Sequence, residues 1–573
     1  MQIIKSFVKL LIFICPVTAG AQTTYLTPGS KEYHFVERLE IKQQRNTNLN
    51  FSAAKPFSRK SIVAEAEFID SSSVNYRKSL VKDESHKADA LKLTAVDEYN
   101  MNSLLMNSSE WVTGSKEKFT SKRPILKYFY TTKPNLLEVN AKDFFLVVNP
   151  VLLLQYGKES HNSNSAYVNT KGVTIRGRIA NKVGFSSTIT DNQERGPQFF
   201  QNYVKANKAV PGVGFYKPFK ITGTDYFDAR GYITFNAAKY IDIQFGYDKN
   251  FIGDGYRSLF LSDWGNSYLF AKLNTKIWKI NYQNIFMELI PQFNKRSDSL
   301  LSRKYAAMHH LSMNVTKWLN VGLFEGVVFG RENHFDFQYL NSIIFYRHIE
   351  GTVGSPDNAL AGFDFKANIL HRFQLYGQFL LDEFILDKIK NDPTNYVNKY
   401  AIQVGAKYVD AFGLKNLDLQ LEVNRVRPFT YSHNDSIANY THYNQPLAHP
   451  LGANFQEVIG ILNYQPFPKW YLNIKALYYY QGLDSAGINF GSNIFRDYTV
   501  RSSVNGFKVG SGNKATCFNA IVNVTYELAQ NIFLDASFQQ RNYKLASVGS
   551  SQNTTMASLA IRMNIGRRQQ YDF

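Results

Sequence analysis

Leu417-Asp418-Leu419-Gln420-Leu421-Glu422-Val423-Asn424 is the stretch that decides the fold. Apolar and polar residues alternate without a break, and in a β-strand successive side chains point to opposite faces. One face of this segment is therefore greasy, and the other carries two carboxylates and two amides. The same period of two returns in Leu472, Ile474 and Ala476 against Asn473 and Lys475, in Phe518, Ala520, Val522, Val524 and Tyr526 against Asn519, Asn523 and Thr525, and in Leu559, Ile561, Met563 and Ile565 against Ser558, Arg562 and Asn564. A soluble sandwich alternates with its apolar face inward. A membrane barrel alternates with that face turned out to lipid and the polar face lining a wet lumen. No single strand separates the two.

The connections do. About eighteen such strands follow Asp143. Tight turns are expected at Asn181-Lys182, Ala238-Lys239, Thr275-Lys276, Thr316-Lys317, Leu370-His371, 412–415, 466–469 and Ala529-Gln530. Between them lie long connections at 156–170, 191–228, 250–266, 291–303, 331–359, 385–398, 428–453, 482–514 and 542–554. Short and long alternate, as they do in outer-membrane barrels with short periplasmic turns and long outer loops. The expected fold is all-β, a transmembrane antiparallel barrel of about eighteen strands over 143–573, in the outer membrane with loops at the cell surface. Many such barrels end in a strand whose last residue is aromatic. Here Arg567-Arg568-Gln569-Gln570 separates Phe573 from the last alternating strand, so either that strand runs longer or a short tail follows.

Composition agrees. Hydrophobic residues make up 44 % of the 573, yet the mean hydropathy is −0.30, so apolar and polar residues are interleaved. There are 36 Tyr and 44 Phe, and barrels place aromatics at both membrane interfaces. The longest apolar run, 144–154, is interrupted by Asn149-Pro150 and is too short for a membrane helix. Only helices and closed barrels satisfy their backbone polar groups in lipid.

Lys5 and Lys9, the apolar run 10–14 with Val17, and Ala19-Gly20-Ala21 read as a signal peptide over 1–21. Cys15 follows Ile12-Phe13-Ile14, unlike a lipidation box. Without the leader only Cys517 remains, on the lumen side of its strand, and an internal disulfide is impossible. Residues 22–142 are more polar and partly helical, with helices expected over 33–43 and over 58–68 with Ser58 as N-cap, and a charged, patchy 80–106 that reads either as a longer helix or as partly disordered. This segment is expected to lie in the periplasm, beneath or inside the barrel. The formal charge of +19 would suggest nucleic acid for a soluble chain, but an exported one meets lipid phosphates and acidic polysaccharide instead. The other reading of that charge is a scatter of solubilising lysines.

Three outer connections mix turn formers, aromatics and hydrogen-bonding side chains: 246–264, which contains Asp254-Gly255-Tyr256-Arg257 and Asp263-Trp264; 337–358, which contains Tyr346-Arg347-His348; and 440–454, which contains His442-Tyr443 and Ala448-His449-Pro450. Together with Tyr33-His34-Phe35-Val36-Glu37-Arg38 and Lys317-Trp318-Leu319-Asn320, these segments resemble RemB-type gliding-motility proteins. Over 253–263 and 446–454 the chain is also similar, more loosely, to the Wzi capsule-assembly family. The Wzi resemblance implies a partly plugged eighteen-stranded outer-membrane barrel that holds capsular polysaccharide, and the RemB resemblance implies a cell-surface component of gliding. Neither implies catalysis.

Sugars are gripped by flat aromatic faces beside planar hydrogen-bonding groups. Asp254, Tyr256, Arg257, Asp263, Trp264, Arg347, His442 and Tyr443 offer both, and are the candidate polysaccharide contacts. In the competing reading they pack the loops into the barrel mouth, with Arg257 and Arg347 paired to Asp254, Asp263 or Asp357. His309 and His310 are adjacent on a strand and face opposite ways, and His442 with His449 lacks a third ligand nearby, so no metal or other cofactor is expected. Gly212-Val213-Gly214 has no phosphate-binding context, and no hydrolase or zinc-protease spacing occurs. The expected partners are outer-membrane lipid, surface polysaccharide and capsule-assembly or gliding proteins, with no nucleic acid. A diffusion porin for small solutes is the alternative function.

Overall fold

The computed structural model describes residues 23–44, 51–79, 93–122, 124–291, 300–343, 345–354, 357–383, 386–485, 487–549, 551–567 and 571–573. The leader expected over 1–21 and the charged stretch 80–92 lie outside them. Eighteen antiparallel strands close into a barrel. They are β1 (Phe144–Glu159), β2 (Ala166–Ile179), β3 (Val183–Arg195), β4 (Gly223–Ala238), β5 (Ile241–Asp248), β6 (Tyr268–Ile277), β7 (Ile280–Leu289), β8 (Lys304–Asn314) and β9 (Leu319–Phe329). The second half is β10 (Asn358–Ile369), β11 (Phe373–Glu383), β12 (Lys399–Tyr408), β13 (Leu417–Val426), β14 (Phe455–Tyr464), β15 (Trp470–Leu483), β16 (Asn513–Ala529), β17 (Ile532–Leu545) and β18 (Ser551–Met563). β18 closes on β1 with Met563 opposite Leu152. No described helix is long and apolar enough to cross a membrane.

The deciding stretch becomes β13. Asp418, Glu422 and Asn424 are buried in the lumen, whereas Leu421 is 56 % exposed on the outer wall. Trp278, Leu370, Phe412 and Phe467 stand exposed at the turn end, where an aromatic and apolar girdle meets a membrane interface. Pro150 sits inside β1, where the strand's partner changes from the short strand Leu137–Ala141 to β18, so its missing N–H breaks no ladder.

Four connections differ from expectation. The β6–β7 turn is at Trp278-Lys279, not Thr275-Lys276. The ladder continues to Ile277 opposite Ile280, and Lys276 turns inward with its ammonium over the Phe51 ring. The connections expected over 156–170 and 542–554 shrink to 160–165 and 546–550, because β1, β2, β17 and β18 extend well beyond the alternating core. The connection after β3 contains a helix, Gln198–Asn207, and a short strand, Lys217–Phe219, paired to the start of β4.

The N-terminal segment forms helices α1 (Lys31–Gln43), α2 (Arg59–Ser79) and α3 (Ala95–Asn107). The Ser58 hydroxyl accepts from the Ser61 amide at 3.3 Å, the expected cap, but α2 runs eleven residues past 68. Thr94 and Asp97 form a reciprocal capping box on α3. Phe35, Val36, Leu39, Ile62, Ala66, Ile69, Met101 and Leu104 make a core for these helices at the turn end. A second core fills the lumen itself, where Ile252 and Leu259-Phe260-Leu261 pack on Phe270, Ile285, Met287 and Phe324. On that side the lumen is greasy rather than wet.

Candidate functional site

From the turn end, α1 is bolted into the barrel by charge. The Arg38 guanidinium is buried and meets three carboxylates: Asp97 at 2.9 Å, and Asp410 and Asp418 at 2.5 Å. Asp410 and Asp418 belong to the β12–β13 turn region, so one side chain joins plug to wall. Lys42 adds a second contact to Asp97 at 3.0 Å. Glu37 bridges Lys55 and Lys407, both at 2.9 Å. Burial would push the Asp97 carboxyl up, but Arg38 and Lys42 outweigh it and hold it at about 2. A carboxylate depressed in the docked state stabilises docking above its free value of about 3.9 and loses that contribution as pH falls toward 2. Plug protection in amide exchange should therefore be full at pH 6 and fall between pH 4 and 2, and an Asp97→Asn chain should keep only a smaller step, since burial raises the Asp410 carboxyl but Arg38 and Lys42 outweigh it there too.

From the loop end, the β5–β6 loop descends to meet the plug. Residues 251–252 pair antiparallel with 54–55, and the Gly253 amide donates to the Ala53 carbonyl at 2.8 Å. Asp254 meets Lys366 at 3.2 Å, and Lys366 also meets Glu40 of α1 at 2.8 Å. Gly255 passes so close to Glu422 that a Cβ would lie 2.5 Å from its carboxylate. Glu422 accepts the amides of Tyr256 (2.7 Å) and Arg257 (3.1 Å). Asp263 lines two cavities, of about 430 and 220 Å³. Trp264 is buried against Tyr203.

A tail follows β18, and residues 571–573 lie inside the lumen. The Tyr571 carbonyl accepts from Asn519 (3.0 Å) and Gln539 (2.9 Å), and its hydroxyl donates to Glu194 at 2.6 Å. The buried Asp572 carboxylate accepts from Tyr256 and meets Lys475 at 3.1 Å, while its carbonyl accepts from Arg257 at 2.6 Å. Phe573 packs against Phe199, Tyr203 and Trp264. The partners of Arg257 are thus Asp572 and Glu457, not Asp254 or Asp263.

The β13–β14 loop closes the mouth above. His442 accepts the Ile290 amide on Nδ1 (3.1 Å) and donates from Nε2 to the Ser267 carbonyl (2.9 Å). Burial lowers it to about 4, so it is neutral, as an accepting Nδ1 requires. The Tyr443 amide donates to Ile290, and its ring lies against Gly214. His449 is not near His442 but pairs with Glu457 at 2.6 Å. Among the described residues no group of three or more His, Cys, Asp or Glu is placed to hold a metal ion.

Seven of the eight sequence candidates thus converge on the filled lumen. Arg347 stands apart on the short helix Tyr346–Val353, its side chain 77 % exposed and paired with Glu350 at 2.7 Å, while Asp357 pairs with Arg331. Sequence reading missed the rim above β3 and β4. There Lys205, Lys208, Phe215, Lys217 and Lys220 of one connection are exposed, with the Lys220 ammonium over the Phe219 ring at 5.3 Å. The signal was present in Phe215-Tyr216-Lys217-Pro218-Phe219-Lys220, an aromatic and basic interleaving inside a connection treated as generic loop.

The whole barrel is similar to Escherichia coli Wzi, an outer-membrane carbohydrate-binding barrel involved in group 1 capsule assembly, with 13 % identity, a TM-score of 0.56, and coverage of 96 % of this chain and 100 % of that one. Pseudomonas aeruginosa OprD (9 % identity, TM-score 0.41, 73 % and 94 % covered) and Acinetobacter baumannii OccAB4 (11 %, 0.41, 74 % and 98 %) lie further away. No curated protein sequence matches the chain. The family profile for capsule assembly protein Wzi matches residues 159–491, more than half of the chain, so this protein belongs to the Wzi capsule assembly family and is an outer-membrane β-barrel with surface-exposed loops.

Proposed function

We propose that this barrel is a non-catalytic anchor that retains or organises acidic polysaccharide on its outer rim. The observation that carries the reading is a lumen filled from both ends, by α1 and its ion pairs from the periplasmic side and by the β5–β6 and β13–β14 loops from the outer side. A filled lumen supports a working surface over a diffusion pore. In this reading Asp254, Tyr256, Arg257, Asp263, Trp264, His442 and Tyr443 serve the glycan by holding the floor beneath the rim, and Arg347 lies at its edge. Direct contact falls to the exposed lysines and Phe215 above β3 and β4, where cations draw an acidic polymer and a flat ring takes a sugar face.

Replacing Lys205, Lys208, Lys217 and Lys220 together by Ala is expected to weaken retention of an acidic capsular polysaccharide about tenfold at low salt, with the difference shrinking as salt rises. Binding of the purified protein to immobilised polymer measures this, and unchanged binding would remove the rim from the proposal. The finer role, a surface component of gliding, rests on the RemB-type resemblance. A deletion strain that keeps its surface polysaccharide but cannot spread would favour it.

A further inference from the structure

The β9–β10 connection does not rise into the medium. It folds back over the outside of the wall. Phe286 of β7, Tyr305 and Ala307 of β8, and Val327 and Phe329 of β9 alternate with lumen-facing neighbours and so point outward, yet they are buried beneath Tyr339, Tyr346 and Ile349 of this connection. Outward polar groups are covered with them. The His309 ring lies 4.0 Å from that of Tyr346, the Glu325 carboxylate accepts the Arg347 amide at 3.2 Å, and the Tyr282 hydroxyl donates to the Ser342 carbonyl at 2.5 Å. Left bare at mid-membrane, such groups carry a desolvation cost that a lipid-facing wall avoids.

The cover leaves too little wall. On β8 only Leu311 and Met313 stay outward and uncovered, and on β9 Val321 and Leu323 do so with Leu319 at the turn. Four or five residues on strands tilted 35–45° span about 10–13 Å of height, against an apolar band of about 25 Å. In this sector the outer half of the band must come from the connection itself. What that connection turns outward is Phe337, Leu340, Ile343 and Phe345, at 78, 43, 89 and 74 % exposure. On the wall itself Leu311, Leu323 and Phe363 are exposed as well.

We infer that the β9–β10 connection is a wedge immersed in the outer leaflet. Phe337, Ile343 and Phe345 take acyl chains, and the exposed Arg347 and His348 sit at the level of the anionic headgroups. The wedge ties the outer end of the barrel to the membrane and is independent of the polysaccharide reading.

Bimane attached at Ile343→Cys, or at Phe345→Cys, in a Cys517→Ala chain tests this. The protein is reconstituted in phosphatidylethanolamine–phosphatidylglycerol vesicles with a nitroxide high on the acyl chain, and folding is checked by resistance of the unheated band to detergent unfolding. Val504→Cys, in the loop between β15 and β16, is the solvent control. The expected result is loss of emission with nitroxide lipid and none with aqueous iodide, the reverse of the control. Quenching by iodide as strong as at 504 would overturn the inference. Protection from both quenchers, with cross-linking to a second copy, would overturn it too, by making the face a protein contact.

Discussion

Arg38→Met will free the periplasmic plug. The substitution keeps most of the side chain's length but leaves Asp97, Asp410 and Asp418 facing one another without their shared cation. Removing one partner of a buried ionic cluster costs about 3–5 kcal/mol, because the remaining charges stay desolvated. Lys42 reaches Asp97 and Asp410 and offsets part of this, but Asp418 keeps only the Asp410 amide at 3.0 Å and the half-exposed His34, with no full cation beside it. The barrel wall, with its own ladder, should remain folded. The expected outcome is protease cleavage within 31–107 at concentrations that leave the parent chain intact, with an unchanged heat-dependent gel shift of the barrel. An Arg38→Met, Asp418→Asn chain should recover part of the protection, since one of the stranded charges is gone.

Asp572→Ala comes next in expected size. Its carboxylate serves Lys475 and Tyr256, and its neighbourhood holds Arg257, so the tail ties the β5–β6 loop to β15. Glu457 keeps part of Arg257, whereas Lys475 is left buried beside a cation, which places the cost at about 3 kcal/mol. Denaturant unfolding should shift by that amount without a change in slope, and Trp264 emission should move red as Phe573 leaves its ring. Asp572→Asn keeps a hydrogen-bond acceptor and should fall between the two.

The parts of this fold that could be read from sequence are those with lipid on one side and polar lumen on the other. β13 and the second half of β18 keep a readable alternation because each face sees one solvent. β7 to β9 blur it, because the β5–β6 loop covers their inner face and the wedge covers their outer face, so Met287, Met308 and Phe324 point inward while Asn284 and His309 point outward. The turn at Trp278-Lys279 escaped for a related reason. It contains no turn-forming residue, whereas Lys276, polar because it faces the plug, imitates one. The helical N-terminal segment was legible from its apolar spacing and the Ser58 cap, and a place beneath or inside the barrel was expected, but the contacts that dock it were not legible, because Arg38, Asp410 and Asp418 are charges that any solvated surface would also carry. The convergence of Tyr256 and Arg257 on Asp572 joins positions more than three hundred residues apart, and no local pattern reports it.

The account stands on a barrel whose lumen is filled from both ends, leaving the outer rim as its working surface. Single-channel recording of the purified protein in planar bilayers tests this most directly. The intact chain should show no steady conductance, and the Arg38→Met chain should show intermittent openings as the plug leaves. Large, steady open steps from the intact chain would contradict the account.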